Sequence, residues 1–404
     1  MRILRIIKSV DPVWGGPVEA MLQTARLHNE AGHVVEVLSM DDPSSDLIMH
    51  FPIRCNAVGP APTRYGYTRS LNKWLLANAG RYDCFIIEGL WQYHCWGAWR
   101  SIRNSGIPYV VFTHGMLAPW FKMRYPLKHL KKWLYWPWAD YRVLRDAAAV
   151  LFTCDQERVL ARQSFWLYRA REVVVSSGTA GVPDTKKDYA SGFLLRHPGL
   201  HEYRRFVFLG RLHPVKGADI IVETIGRLRR CGLWDSNTMR LIMAGPDTGT
   251  YGGKLKELAQ SLGVADSIVW TGMLSGDDKW GVLQCAEVFV LPSHQENFGV
   301  VVAESLSVGV PVLISKAVNI WPEIVADGAG TADDDTVAGF ERQMISWLML
   351  SPDAVAAMRK KARLCFGNRY TAKRAADSLL SVIYQITGIE NPGVGKKSAS
   401  NISV

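Results

Sequence analysis

Short runs of β-branched and aliphatic residues alternate with helical patterns through the first half of the chain. Residues 2–10 and 34–40 predict strands, and a helical pattern over residues 17–30 lies between them and stops at Gly32. The same alternation predicts further strands at 84–88, 109–114, 149–153 and 172–176. Strands that alternate with helices form a mostly parallel sheet that helices cover on both faces.

A second alternating series follows a looser stretch rich in Gly, Pro, Lys and Asp. Its predicted strands are 206–210, 240–244, 268–271, 288–291 and 312–314, with helices around 218–230, 254–262 and from Val300. The pattern therefore predicts an α/β protein with two consecutive doubly wound, Rossmann-like domains. In such domains ligands bind at the carboxyl ends of the strands.

These patterns divide the chain into five parts. We expect a Rossmann-like domain over 1–185, a linker over 186–204, a second Rossmann-like domain over 205–370, a C-terminal helix over 371–388 that packs back on the first domain, and a disordered tail over 389–404. The tail is small, polar and basic, which is why no packed structure is expected there.

The composition indicates a globular protein with an anionic partner. Of the 404 residues, 48% are hydrophobic and 21% are charged, which excludes disorder over most of the chain. Lysine and arginine number 47 against 37 aspartates and glutamates, so the formal net charge is +10. Nucleic acid, an acidic membrane surface and a phosphorylated ligand all fit that charge.

Cysteine usage and the apolar segments indicate a cytoplasmic protein. The seven cysteines are scattered and form no CxxC pair, which favours a reducing compartment without a disulfide framework or zinc site. The apolar part of the first ten residues is too short for a signal peptide and predicts a buried strand. Polar residues and Pro311 interrupt the longest apolar stretch, so no transmembrane helix is predicted.

Two cations lie together in the segment FLGRLHPVKG, residues 208–217. The pattern places Arg211 and Lys216 in a loop between a strand and a helix. Such a pair suits a diphosphate, because arginine offers a planar fork of donors and lysine a mobile point charge. Two solvated surface cations are the alternative interpretation.

Two carboxylates lie in the segment LPSHQENFGVVVAES, residues 291–305. Glu296 is predicted in a loop after a strand, and Glu304 in the helix that follows. The N-terminal end of that helix offers unpaired amides to an anion, and Glu304 is placed to accept hydrogen bonds from a vicinal diol. A capping role for Glu296 and an exposed position for Glu304 are the alternatives, although Glu304 has apolar neighbours among which an unpaired carboxylate is costly.

The GRLxPxKG segment, followed later in the chain by the E-x7-E pair, resembles the family 4 retaining glycosyltransferases of the GT-B fold. The resemblance covers nearly the whole chain. It implies two Rossmann-like domains facing each other across a cleft, the first binding the acceptor and the second a nucleotide sugar. The implied reaction moves a hexose-type sugar from a nucleotide diphosphate sugar, with UDP the favoured nucleotide, to a saccharide or lipid-linked saccharide with retention at the anomeric carbon.

The resemblance also implies roles for individual residues. Arg211 and Lys216 match the diphosphate clamp, Glu304 the ribose-binding glutamate, and Glu296 the glutamate that faces the donor sugar. The other positions implied at the nucleotide-sugar site are Asn297, Phe298, Gly299, Val300, Gly245, Gly272 and Met273. Besides the nucleotide sugar as co-substrate, no cofactor is expected. No metal is expected either, because the adjacent acids at 333–335 lack a ligand spacing.

The first domain carries further candidates at two predicted strand ends. Gly15 and Gly16 lie in the loop between the first strand and helix, where glycine lets the backbone approach a ligand; a simple tight turn is the alternative. His114 follows a strand and precedes Gly115, and it resembles the active-site histidine of the family. A structural histidine is the alternative.

A basic, aromatic stretch covers residues 120–145. It carries seven cations against one acid, Asp140, and four tryptophans. This composition suits an anionic membrane surface and indicates a peripheral protein at the inner face of the membrane. The predicted membrane or acceptor patch comprises Lys128, Lys131, Lys132, Trp133 and Trp136. Part of the acceptor site, or a helix with its tryptophans in the core and its lysines in solvent, are the alternatives.

Other classes of protein fit less well. A nucleotide-sugar epimerase of the same fold and a non-enzymatic, basic membrane- or nucleic-acid-binding protein remain alternatives to the transferase. A dinucleotide oxidoreductase is excluded because no GxGxxG follows a predicted strand. We expect no nucleic-acid partner, since no RRM, KH or helix-turn-helix pattern is present and the paired glutamates would repel a phosphate backbone.

Overall fold

The residues of the protein cluster into two compact units. A computed structural model describes residues 1–14, 16–61, 63–124, 126–247 and 249–390. The first unit comprises Met1–Phe152, Leu160–Ser176 and the chain from Lys373 onward, and the second comprises Thr153–Val159 and Ser177–Ala372. Of the tail predicted over 389–404, residues 391–404 lie outside the described residues.

A seven-stranded parallel sheet forms the centre of the first unit. Its strands are β1 (Arg2–Ile6), β2 (Val34–Ser39), β3 (Cys55–Ala57), β4 (Cys84–Glu88), β5 (Tyr109–Phe112), β6 (Ala149–Phe152) and β7 (Glu172–Val174). Their spatial order is β3-β2-β1-β4-β5-β6-β7, and each pairing is parallel. The order reverses between β1 and β4, and this switch point is where doubly wound sheets bind ligands.

The second unit repeats this arrangement with six parallel strands. They are β8 (Arg204–Leu209), β9 (Met239–Ala244), β10 (Ile268–Gly272), β11 (Val288–Leu291), β12 (Val312–Ser315) and β13 (Gly330–Asp333). The spatial order is β10-β9-β8-β11-β12-β13, so the switch point lies between β8 and β11. The prediction of two Rossmann-like, parallel-sheet domains is confirmed.

Helices cover both sheets. In chain order they are α1 (Gly16–Glu30), α2 (Asp46–Met49), α3 (Arg69–Asn78), α4 (Tyr93–Ile102), α5 (Trp120–Arg124), α6 (Pro126–Tyr135), α7 (Asp140–Asp146), α8 (Asp155–Ala161), α9 (Tyr189–Arg196), α10 (Ala218–Arg230), α11 (Tyr251–Ser261), α12 (Gly276–Gln284), α13 (Val300–Ser307), α14 (Trp321–Ala326), α15 (Val337–Leu348), α16 (Pro352–Cys365) and α17 (Ala372–Thr387). In the first unit, successive strand residues such as Phe85 and Ile86 enter separate apolar clusters on opposite faces of the sheet.

The last helix packs with the first unit although it follows the second in sequence. Leu379 and Ile383 on α17 join one of the two apolar clusters of that unit. His28 on α1 places its Nε2 2.9 Å from the carbonyl oxygen of Ala376. The backbone amide of Ser176 donates to the hydroxyl of Ser378 at 3.2 Å. Apolar burial and polar contacts together therefore hold α17 on this unit.

The structure differs from the sequence prediction at the linker and at two strands. Residues 186–204 contain α9 and belong to the second unit instead of linking two domains. Phe193 is fully buried there, and the amides of Tyr189 and Ala190 donate to Gln284 Oε1. An eight-residue helix has too few turns for a clear apolar period, so tertiary contacts decide it. The strands β3 and β13 were not predicted, because their sequences CNA and GTAD contain no run of β-branched or aromatic residues.

We predict that acid destabilises the first unit through His28. Burial lowers the pKa of His28 to about 4, against the hydrogen bond with Ala376, which raises it. Between pH 6.5 and 4 the unfolded state therefore binds a proton that the folded state does not. The free energy of unfolding decreases as the pH is lowered, by roughly 2 kcal/mol at pH 5 for this group. The thermal midpoint of His28→Gln should fall less between pH 7 and pH 5 than that of wild type. The exposed His50, replaced by Gln, serves as the control and should leave the pH dependence unchanged; equal pH dependence of all three proteins would contradict the prediction.

Candidate functional site

Three strand-end loops of the second unit pack backbone to backbone. The Gly210 amide, just after β8, donates to the Ala244 carbonyl at 2.9 Å, and the Gly245 amide donates to the Gly272 carbonyl at 2.7 Å. A Cβ added to Gly245, whose φ is 144°, would lie 1.8 Å from the Gly210 oxygen. Glycine is therefore required at 245 so that the loops after β8, β9 and β10 can meet.

The loop that carries the two predicted cations contacts the loop after β11. Gly217 has a φ of 66°, and a Cβ there would lie 2.1 Å from the carbonyl oxygen of Pro292. The amide of His294 donates to the Val215 carbonyl at 2.8 Å. These two loops follow β8 and β11, the strands on either side of the switch point. The fold therefore brings together two motifs that are far apart in sequence.

Lys216 and Glu296 form an ion pair where these loops meet. The Lys216 ammonium donates to Glu296 Oε2, and each side chain is 19% exposed. Arg211, on the same loop as Lys216, is exposed. Met273 is 73% exposed in the loop after β10. One carboxylate and one ammonium are thus held in contact beside a second cation at the carboxyl edge of the sheet.

Hydrogen bonds anchor the loop between β11 and α13. The Glu296 amide donates to the Ala317 carbonyl, and the Asn319 amide donates to the Glu296 carbonyl, both at 3.0 Å. The Asn297 side chain donates to the hydroxyl of Thr153 at 3.1 Å. That hydroxyl in turn donates to the buried Glu157 carboxylate. The Asn297 side chain is therefore an anchor, a role that the sequence did not indicate.

The loop ends at the N terminus of α13. Gly299 caps the helix with a φ of 70°, and the first helical bond runs from the Val302 amide to the Gly299 carbonyl at 2.8 Å. The amides of Val300 and Val301 precede this bond and are not used by the helix. Phe298 is buried, with its ring centroid 5.7 Å from that of Tyr370. At Phe298, packing accounts for the side chain, so a ligand could contact only the backbone.

Glu304 is buried and paired with a lysine. Its side chain is 7% exposed, and Lys279 Nζ on α12 donates to its Oε1 at 2.6 Å. The alternative of an exposed helix residue is therefore wrong. The pairing offsets the cost of burying the carboxylate among apolar residues. Lys279 was not predicted as a site residue, since nothing in the sequence pattern of α12 distinguishes it from a solvated lysine.

In the first unit, His114 lies at the carboxyl end of β5 in a left-handed conformation. Its φ is 48°, uncommon for a residue other than glycine. The ring stacks on Phe112 with centroids 4.9 Å apart and planes at 8°. Its Nε2 lies 2.7 Å from Glu88 Oε2, on the neighbouring strand end. Both the backbone and the ring of His114 are therefore fixed.

A buried ion pair between Arg5 and Glu88 holds the carboxylate that contacts His114. Arg5 on β1 donates from Nε to Glu88 Oε1 at 2.7 Å, and from a second nitrogen to the Thr24 hydroxyl at 2.6 Å. Burial acts to raise the pKa of Glu88, but Arg5 and His114 outweigh it and hold that pKa below its usual value. Glu88 is therefore an ionised acceptor for His114. The sequence contained a signal for this pair, because Arg5 in β1 and Glu88 at the end of β4 are charged residues in mostly apolar strands.

The glycines near α1 are only partly described. Gly15 lies outside the described residues, so its predicted role stays a prediction. Gly16 is the first residue of α1. The helix α1 follows β1, which lies next to the switch point of the first unit.

The structure corrects two members of the predicted membrane or acceptor patch. Trp136 is 1% exposed and stacks on Phe165 with centroids 4.3 Å apart, so its ring is part of the core. The Lys132 ammonium lies 4.3 Å from the centroid of the Trp91 ring and points inward. Lys128 and Lys131 are exposed, and Trp133 is 42% exposed. The prediction was wrong at positions 132 and 136. Lys132 lies on the inward side of α6, and Trp136, which directly follows this helix, packs in the core.

No metal centre is apparent in the part of the chain that the structure describes. Within it, no three His, Cys, Asp or Glu side chains are grouped so that they could hold an ion. The acids at 333–335 pair with Arg342, Lys316 and His294. Within the same residues, no helix combines the length and the apolar character that a bilayer span requires.

Two family models match the chain. Residues 15–178 match the glycosyl transferase 4-like domain, and residues 196–364 match the glycosyl transferases group 1. Together the two matches cover most of the chain and correspond to its two halves.

Several relatives in sequence share one name. The chain is similar to the D-inositol 3-phosphate glycosyltransferase of Stackebrandtia nassauensis, with 25% identity over 391 residues, 91% of this chain and 86% of that protein. The protein of the same name from Acidothermus cellulolyticus is 34% identical over 113 residues, which span only 27% of this chain and 25% of that protein.

Solved structures share the fold over nearly the whole chain. Sucrose-phosphate synthase from Thermosynechococcus elongatus superposes with a TM-score of 0.76 at 17% identity, covering 96% of this chain and 100% of that one. HepE of Anabaena, in complex with UDP and glucose, gives a TM-score of 0.73 at 16% identity, covering 95% and 100%. At these identities the likeness is one of fold.

We predict that Gly245→Ala strongly destabilises the second unit. The added methyl group would collide with the Gly210 carbonyl, a backbone atom that cannot move without opening the loop contacts. The expected loss exceeds about 2 kcal/mol in urea unfolding. Gly249→Ala is the matched control, because a Cβ at Gly249 meets nothing within 4 Å. Equal stability of the two variants would show that the close approach is not needed.

Proposed function

Because the chain belongs to the glycosyltransferases of the GT-B type, we propose that it moves a hexose-type sugar from a nucleotide diphosphate sugar to a saccharide or lipid-linked saccharide. UDP is the favoured nucleotide, and the anomeric configuration is retained. The reaction uses no metal and no cofactor beyond the donor. Both matching family models describe transferases, which supports this proposal over an epimerase.

The observation that carries the proposal is the meeting of the loops after β8 and β11. It brings Lys216, Glu296 and the N-terminal end of α13 to one switch point, with Arg211 on the same loop as Lys216. Cations and helix amides together form an anion site. A carboxylate in the same place can accept hydrogen bonds from sugar hydroxyls. A nucleotide diphosphate sugar presents both kinds of group.

In this mechanism the protein stabilises the leaving group. As the bond between the sugar and the diphosphate breaks, negative charge grows on the diphosphate. Arg211, Lys216 and the free amides at the start of α13 are preorganised to meet that charge. The ion pair with Glu296 holds the Lys216 ammonium in position, so little reorganisation is needed as the charge develops.

Retention follows if the acceptor hydroxyl attacks from the face that the diphosphate leaves. The departing diphosphate then takes the hydroxyl proton, and no covalent sugar–enzyme intermediate forms. The contact between Glu296 and Lys216 supports this route, because an ion-paired carboxylate is a poorer nucleophile than a free one.

His114 serves as a polar contact for a hydroxyl group in this proposal. Glu88 is ionised and can only accept, so Nε2 of His114 donates to it and Nδ1 is the ring nitrogen that can face a ligand hydroxyl. Because Glu88 fixes the ring through Nε2, His114 can form a hydrogen bond with a ligand hydroxyl in one direction only. Arg5 and Glu88 are then positioning residues, which act through His114.

The proposal is tested by donor binding and product analysis. At equal concentrations of the nucleotide diphosphates, UDP should raise the thermal midpoint most. At one hundred times its dissociation constant, UDP should stabilise the protein by about 2.7 kcal/mol. Arg211→Ala and Lys216→Ala should each lower turnover at least roughly 10²-fold, because charge stabilisation of the leaving group is lost. Arg230→Ala, at the other end of α10, is the control. Proton NMR of the product reports the anomeric configuration; near wild-type turnover of both variants, or an inverted product, would refute the mechanism.

The two glutamates should separate in calorimetry with UDP. Glu304→Gln is expected to weaken UDP binding, since the neutral amide is a poorer acceptor for ribose hydroxyls and leaves Lys279 without its anionic partner. Glu296→Gln should bind UDP within a few-fold of wild type but turn over the donor slowly, because this carboxylate faces the sugar. Equal losses of UDP affinity in both variants would contradict the division of roles.

A further inference from the structure

The helix α6 turns an apolar stripe toward solvent. No residue of Pro126–Tyr135 counts as buried. Leu127, Leu130 and Leu134 are 79%, 57% and 68% exposed. Their spacing of three and four residues places them on one face of the helix. A surface helix of a globular protein normally turns such a stripe toward the core.

The inward side of α6 is held by polar and aromatic contacts. The Lys132 ammonium lies against the Trp91 ring, and burial lowers its pKa to about 8 although Asp140 acts to raise it. The ring of His129 stacks on Phe165 with centroids 4.9 Å apart. The hydroxyl of Tyr135 is 2.8 Å from that of Tyr65. Since these contacts hold the helix, its leucines are not needed for packing.

Among the described residues of α5 and α6, the exposed charged side chains are all cations. Lys128 and Lys131 on α6, and Lys122 and Arg124 on α5, are exposed. The one acid between residues 120 and 145, Asp140, is fully buried. Two exposed tryptophan rings extend the apolar surface: Trp133, and next to it Trp166, which is 68% exposed with its centroid 5.9 Å away.

We propose that α6 is an interfacial helix that binds an acidic lipid surface. Leu127, Leu130 and Leu134 enter the boundary between headgroups and acyl chains, while Lys128 and Lys131 contact anionic headgroups. This inference rests on the proposed function only where it concerns the acceptor, because a membrane-bound transferase would be brought to a lipid-linked one.

Charge complementarity favours a lipid surface over a protein partner. The centres of protein interfaces are depleted of lysine, whereas helices that lie on membranes combine lysine with leucine and tryptophan. On α6 the lysines alternate with the leucines along the same short helix. A bilayer accepts both, because its charged headgroups lie directly above its apolar interior.

Vesicle sedimentation tests this inference with the full chain. Wild type should sediment with vesicles of phosphatidylglycerol and phosphatidylcholine, and at least tenfold less with phosphatidylcholine alone. The triple variant Leu127→Ser, Leu130→Ser and Leu134→Ser should bind the acidic vesicles at least tenfold more weakly. Leu76→Ser, which removes a 71% exposed leucine on α3 of the same unit, is the control and should bind as wild type.

A second variant tests the electrostatic part. Lys128→Glu with Lys131→Glu should also bind at least tenfold more weakly, and high salt should reduce wild-type binding. Lys132 is left unchanged because it points inward. Circular dichroism checks that both variants fold. The inference would be overturned if both multiple variants bound acidic vesicles as tightly as wild type. It would also be overturned if wild type did not bind vesicles but formed a dimer, and the leucine substitutions dissociated that dimer.

Release of UDP from a UDP-sugar in solution keeps this inference separate from the proposed function. The leucine variant should release UDP at the wild-type rate, because its substitutions lie on the solvent side of α6. Donor turnover without vesicle binding would overturn the membrane inference alone. Vesicle binding without turnover of any nucleotide sugar would overturn the proposed function and support the lipid surface.

Discussion

The contact between the loops after β8 and β11 is the constraint on which the site of the second unit depends. The two strands are neighbours only because the strand order reverses between them. Gly217 lets one loop lie against the Pro292 carbonyl, where any side chain would collide. Without this approach Lys216 and Glu296 would be two solvated charges on separate loops. The chemistry of the site therefore rests on a backbone contact.

Two buried carboxylates close to candidate site residues are each paired with a cation. Glu304 forms an ion pair with Lys279, and Glu88 forms one with Arg5. Each pair lies within one unit, close to a strand end or helix that carries a candidate site residue. An unpaired carboxylate in these places would be protonated, or its side chain would turn out into solvent. Arg5 and His114 hold the pKa of Glu88 below its usual value, so Glu88 is ionised and accepts a hydrogen bond from His114.

Apolar surface follows the opposite rule at α6. Elsewhere in the first unit, aliphatic side chains enter the clusters on the two faces of the sheet. On α6 the leucines face solvent, and Lys132 and His129 face the fold. Polar contacts can hold a short helix in place while its apolar side stays available. The leucine side of α6 is therefore open to a partner outside the fold.

The two parallel-sheet domains could be predicted from the sequence, because the alternation of β-branched runs with helical periods is a local property of the chain. The sequence also indicated which loops carry Arg211, Lys216 and Glu296, since strand ends can be read from the same pattern. The partners of Glu304 and His114 became visible in the folded chain alone: Lys279 pairs with Glu304, and Glu88 with His114. The tertiary structure also decided that Lys132 points inward and that α9 joins the second unit. These outcomes depend on contacts between segments distant in sequence, and no local periodicity records such contacts.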